Sequence, residues 1–184
     1  MEKVIVIVVG PDRPGIIAAV SGLLYRLEGN LENVSQTILQ SVFTGTFIVS
    51  LPGKITLAEL SQELHKIAAP LHLKAYVDEF TVPEGGAGEP ASDPYVITTR
   101  GPDQKGLVAR ITAILAAYEV NVTDLQAAFK GGDDPDDNIM IYEVDLPRGV
   151  DRRIFTEALR EKALQLDLQI NIQHRRIFEA INRI

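Results

Sequence analysis

The chain opens on a nearly unbroken apolar run, "KVIVIVVG", which reads as a buried strand. From residue 14 to 28 the period changes. Ile16, Ile17, Val20, Leu23, Leu24 and Leu27 recur at i, i+3, i+4 and i+7, the signature of a helix with one buried face. "LENVSQTILQ" and "TFIVSLP" read as two strands separated at Gly45, and a second helix follows. Thr56 and Glu59 form a capping-box pattern at its start, and Leu57, Leu60, Leu64 and Ile67 mark its buried face. "LHLKAYVDEF" supplies a last strand.

The same order then returns. "PYVITTRG" is a strand, residues 105–119 a helix, "NVTDLQAAF" and "NIMIYEVDLP" two strands, residues 151–165 a helix and "LDLQINIQ" a strand. In the last of these, Leu168, Ile170 and Ile172 alternate with Gln169, Asn171 and Gln173, as in a sheet with one face buried. Sliding the chain against itself by about 90 positions aligns Gly10, Pro11, Asp12 and Gly15 with Gly101, Pro102, Asp103 and Gly106. The apolar face of the following helix and then Asn30 on Asn121 stay in step, which points to an internal duplication. Two β-α-β-β-α-β units imply an α+β chain of two ferredoxin-like domains, each a four-stranded antiparallel sheet with two helices on one face. The expected boundaries are residues 1–83 and 94–174, a Gly- and Pro-rich linker at 84–93, and a tail helix at 175–184 with Ile177, Phe178, Ile181 and Ile184 at helical spacing. So short a tail helix needs a partner for its apolar face.

The 184 residues are 46% hydrophobic, enough for packed cores. No cysteine is present, which excludes disulfides and thiolate chemistry. The opening residues carry no basic, leader-like segment and no run long enough to span a bilayer, so a cytoplasmic protein without membrane association is expected. A net charge of −7 disfavours direct nucleic-acid binding, and the basic cluster His174-Arg175-Arg176 reads as the solvated start of a helix.

Candidate chemistry concentrates in the repeated turn, "GPDRPG" and "GPDQKG". Asp12 and Asp103 are placed to cap the following helix, and Gly15 and Gly106 leave room for close approach. Alternatively the free N–H groups of the helix start receive a small carboxylate, while Asp12 with Asn30, or Asp103 with Asn121, holds an ammonium group. Elsewhere the signals are weak. His65, His72 and His174 have no metal-ligand spacing, so no metal or cofactor is expected. Asp133, Asp134, Asp136 and Asp137 lack the pattern of an EF-hand and read as a solvated loop. No base accompanies Ser35 or Thr37, and Lys105 sits in the wrong topology for a phosphate loop.

With its strand, turn, amphipathic helix and "GNLENVSQT", the chain resembles the ACT domain, a regulatory module whose members bind amino acids; the tandem pair resembles the glycine cleavage system transcriptional repressor group. The resemblance implies a non-enzymatic regulator that binds a small amino acid, glycine or serine, and modulates a partner such as a transcription regulator, as a homodimer. It places the effector contacts at Gly10, Asp12, Gly15 and Asn30, and at Gly101, Asp103, Gly106 and Asn121. Two other readings stand beside it. One is a ligand-free adaptor that binds a transcription factor. The other is an acylphosphatase-like hydrolase using Arg13 with Asn30 or Asn33, which Asp12 beside the phosphate disfavours.

Overall fold

A computed structural model describes residues 2–81, 91–129 and 138–182. The chain divides into two compact units, Met1–Glu84 and Gly85–Ile184. The first contains β1 (Glu2–Pro11), α1 (Ile16–Arg26), β2 (Asn30–Leu39), β3 (Val42–Leu51), α2 (Leu57–Ala68), a 3-10 turn (Ala69–Leu71) and β4 (Lys74–Glu79). In the second follow β5 (Ser92–Gly101), α3 (Leu107–Ala117), β6 (Asn121–Phe129), β7 (Asn138–Pro147), α4 (Arg152–Gln165), β8 (Gln169–His174) and α5 (Arg175–Asn182). The sheets run β2-β3-β1-β4 and β6-β7-β5-β8, every pair antiparallel. This is the expected βαββαβ arrangement, twice. Even the irregularities repeat: the register of the outer pair slips between Leu31 and Asn33, and again between Val122 and Asp124.

Each core lies between the sheet and its two helices. In the first unit Val4, Val6 and Val8 of the central strand meet Val20, Leu23 and Leu24 of α1, Leu60 and Leu64 of α2, and Phe47 and Val49 of β3. Ile97, Ile111, Leu115, Tyr142, Phe155 and Leu159 do the same in the second. Tyr142 donates its hydroxyl to Met140 Sδ at 3.3 Å, and burial pushes its pKa up to about 12. The capping box is present: Thr56 Oγ1 accepts the Glu59 N–H at 3.2 Å while Glu59 Oε2 accepts the Thr56 N–H at 2.8 Å.

Four expectations are corrected. The β2–β3 hairpin does not turn at Gly45 but at Gln40 and Ser41, both with positive φ (47° and 66°). Gly45 instead lies inside β3, because a Cβ there would stand 2.7 Å from the ring of buried Phe43. The segment from Leu71 to Leu73 is not strand. His72 ends the 3-10 turn at φ 56° and is exposed, and β4 starts only at Lys74. Of the expected linker 84–93, residues 84–90 lie outside the described residues, and Ser92 and Asp93 already pair with Pro147 and Leu146 as strand. Finally, Arg175 is not simply solvated: its Nη2 lies 2.8 Å from Glu143 and 3.3 Å from Thr123 Oγ1. The aspartate cluster at 133–137 lies outside the described residues.

A two-residue hairpin loop with both φ values positive suits Asn-Gly far better than Gln-Ser. Replacing Gln40 by Asn together with Ser41 by Gly is expected to raise stability by about 1 kcal/mol. Urea unfolding checks this, and no gain would contradict the turn assignment.

Candidate ligand-binding site

The four main helices begin in two different ways. At α4, Asp151 accepts the N–H groups of Arg153 and Ile154 at 2.8 and 3.3 Å, and α2 has its capping box. α1 and α3 have no side-chain cap at all. Asp12 and Asp103 therefore do not cap, contrary to the first reading of the turn. The position before each helix is instead taken by Gly15 (φ 95°) and Gly106 (φ 84°), and left-handed backbone of this kind favours glycine. A Cβ on Gly15 would meet nothing within 4 Å, so its role is conformational and the space beside it is open.

Gly10 and Gly101 have a different cause. A Cβ on Gly10 would stand 2.8 Å from Leu73 Cδ2 and 2.9 Å from the His72 carbonyl, and one on Gly101 would stand 2.7 Å from the Asp167 carbonyl. Both glycines let the end of the central strand pass close to the backbone that leads into β4 or β8. They are packing positions in each unit.

Beside the start of α1 lies an open cleft of about 610 Å³. Asp12, Arg13, Gly15, the first residues of α1, Gln36 of β2 and Phe43 of β3 line it. Arg13 is the residue that sequence reasoning assigned only to the disfavoured hydrolase reading. Its Nε is buried and has no hydrogen-bond partner, and no other group of the described residues pairs with its guanidinium. The Asp12 N–H donates to the Ser41 carbonyl at 2.8 Å, which ties the turn to the β2–β3 loop and leaves the exposed carboxylate free. One wall thus offers a guanidinium and the uncapped N–H groups of a helix start, a receptor for a carboxylate. Asp12 offers the opposite charge, and Ile17 and Phe43 an apolar surface.

Asn30 does not join this site within its own unit. It stands in line with Ser50 and Lys3, whereas Gly10 stands in line with Phe43 and Ile38. From Lys3 to Gly10 an extended strand covers about 23 Å. The expected Asp12–Asn30 pairing on one ammonium is therefore excluded inside the unit. The same register separates Asn121, beside Asp145 and Pro94, from Gly101, beside Asn138.

The second copy of the turn differs where it matters. Gln104 occupies the place of Arg13 and donates through Nε2 to the Leu166 carbonyl at 2.7 Å. Asn138 pairs with Gly101 as Phe43 pairs with Gly10, and Thr99 pairs with Met140 where Val8 pairs with Gly45. Asn138 is 5% exposed and Thr99 0%, yet among the described residues the Asn138 amide and the Thr99 hydroxyl have no hydrogen-bond partner. Polar groups here replace the apolar packing of the first copy.

Among the described residues no cluster of His, Asp or Glu could hold a metal ion, and no helix is long and apolar enough to cross a membrane. His65 Nδ1 lies 2.7 Å from the Ser61 carbonyl in the last turns of α2.

The family description "ACT domain" matches this chain twice, over residues 4–69 and 93–134. UPF0237 protein MK1213 of Methanopyrus kandleri is 35% identical over 78 residues, covering 42% of this chain and 87% of that protein. A UPF0237 protein of Methanosarcina acetivorans is 31% identical over 94 residues, covering 50% of this chain and 98% of that protein. Two solved structures are similar across both units. A protein of unknown function from Galdieria sulphuraria superimposes with a TM-score of 0.76 at 21% identity, covering 94% of this chain and 98% of that one. A candidate glycine cleavage system transcriptional repressor gives 0.69 at 16% identity, covering 94% and 96%. At these identities the structural likeness shows the fold alone.

Two substitutions test the local reading. Asp12→Ala should change stability by less than about 0.5 kcal/mol, as at an exposed site that caps nothing; in urea unfolding, a loss of about 1 kcal/mol would restore the cap. Thr99→Val, the residue type of the first copy, should stabilise by about 1–3 kcal/mol because it removes a buried unpaired hydroxyl. An unchanged unfolding midpoint would mean that the hydroxyl is already satisfied.

Proposed function

The chain belongs to the ACT-domain family, and from that membership we propose that it is a non-enzymatic regulator that binds a small amino acid at the turn between β1 and α1. The observation that carries the proposal is the unpaired Arg13 guanidinium beside an uncapped helix start, with the Asp12 carboxylate on the same cleft. In this reading the effector's carboxylate takes the N–H groups of Ile16 and Ile17 together with Arg13, and its ammonium takes Asp12. Phe43 and Ile17 bound the side chain. Glycine and serine are the first candidates on family grounds.

The first copy is the ligand-bearing one, because in the second the residue at the Arg13 position is already engaged with the Leu166 carbonyl. Regulation then follows from linkage. An effector shifts the chain between two arrangements, and so between partner-bound and free forms, only by its difference in affinity for them. A transcription regulator is the partner that fits the family group. The edge strand β2 exposes Val34, Ile38 and Leu39 at 41%, 52% and 72%, and this supports self-association or partner pairing along that edge. The same edge would serve a ligand-free adaptor.

Thermal melting of the whole protein against the twenty amino acids separates the two readings. The effector at 100 times its dissociation constant should stabilise the protein by about 2.7 kcal/mol. Arg13→Gln should abolish the shift and Gln104→Ala should leave it intact. No shift with any amino acid at millimolar concentration would overturn the sensor reading in favour of the adaptor.

A further inference from the structure

A second cavity, of about 230 Å³, lies in the other unit between α4, the end of β8 and the start of α5. Arg152, Thr156 and Arg160 reach it from α4, where positions i, i+4 and i+8 share one face. Tyr95 of β5, His174 at the end of β8 and Ile177 of α5 complete the part of the wall that matters here. No carboxylate lines it, although the chain carries 25 acidic residues against 18 Lys and Arg.

Three of the polar groups, those of Arg152, Tyr95 and His174, are held by their neighbours. Arg152 Nη1 donates to the Tyr95 hydroxyl at 3.0 Å, and its guanidinium carbon stands 6.0 Å from the centre of the Tyr95 ring. That bond uses the hydroxyl oxygen and leaves its O–H free to donate. The Tyr95 and His174 rings pack edge to face, with centroids 5.4 Å apart. His174 Nδ1 accepts the Arg176 N–H at 3.3 Å, so the neutral ring carries its proton on Nε2 and donates from there. Arg160 makes no ion pair or hydrogen bond with any described residue. Two guanidinium groups thus line one small cavity without a counter-charge, beside a phenol, an imidazole and a hydroxyl, a donor set that suits an anion.

We propose that this cavity binds the phosphate group of a small phosphomonoester. A doubly charged oxyanion matches two guanidinium forks, which bind phosphate oxygens in pairs. The apolar side chains of Ile172 and Ile177 give the attached carbon group a surface to lie on. The site is separate from the β1–α1 turn and does not depend on amino-acid binding there.

The test is calorimetric titration of the whole protein in chloride buffer with inorganic phosphate, glycerol 3-phosphate and acetate. Saturable binding of one equivalent of phosphate is expected, tighter binding of the ester, and none of acetate. Arg160→Gln should weaken phosphate binding at least about 10-fold, since it removes one of two charge-assisted partners. Arg153→Gln, an equal charge change on the neighbouring residue outside the cavity, should leave it unchanged. Because Arg160 has no partner to lose, its variant should keep the wild-type melting temperature. Non-saturable heats, equal binding of acetate, or equal losses in the two variants would overturn the proposal. Phosphate binding with no gain for the ester would overturn its phosphomonoester part and leave free phosphate as the ligand.

Discussion

The architecture depends on how the central strand of each sheet ends. β1 and β5 must pass close to the backbone leading into the last strand, then turn immediately into a helix, and two glycines make this possible in each unit. Gly10 and Gly101 allow the approach, where any Cβ would meet a carbonyl oxygen at 2.9 or 2.7 Å. Gly15 and Gly106 allow the left-handed turn that starts the helix. The consequence reaches beyond packing. α1 and α3, each entered through such a glycine, have no side-chain cap, so their first N–H groups keep their capacity to bind an anion.

The chain holds two such openings, and three corresponding positions make their surroundings unlike. Arg13 corresponds to Gln104, Val8 to Thr99 and Phe43 to Asn138. In the first copy a cation is left unpaired above an apolar floor, which suits a small zwitterion. In the second the side chain at the turn is tied to the end of α4, and the floor carries polar groups that find no partner among the described residues. An unpaired polar group costs about 1–3 kcal/mol when buried.

Most of the fold was legible in the sequence because periodicity reports burial, and burial in a two-layer unit is nearly one-dimensional. The helix faces at Val20, Leu23 and Leu24 and at Ile111 and Leu115 fall where the spacing puts them. Gly45 misled because a glycine between apolar runs usually marks a turn; here it marks the place where the Phe43 ring folds over its own strand. Gln40 and Ser41 gave no turn signal because neither is a residue that favours positive φ. The site was legible only in part. Asp12 and Gly15 stand out as repeated residues, but the Asp12–Asn30 pairing fails, since spacing along the chain does not reveal that Asn30 starts its strand at the far end of the sheet. Arg13 gives no signal by similarity, because it stands against Gln104 in the second copy, a guanidinium against a neutral amide; difference between the repeats, not similarity, marks it.

The central claim is that the uncapped start of α1, and not that of α3, receives an amino-acid carboxylate. Two-dimensional ¹⁵N NMR of the whole protein, titrated with glycine and then serine, tests it most directly. Saturable shifts are expected at the amides of Gly15, Ile16 and Ile17 and at the Arg13 side-chain Nε–H, while Gly106, Leu107 and Val108 stay fixed. Shifts confined to the second turn, or none at either, would contradict it.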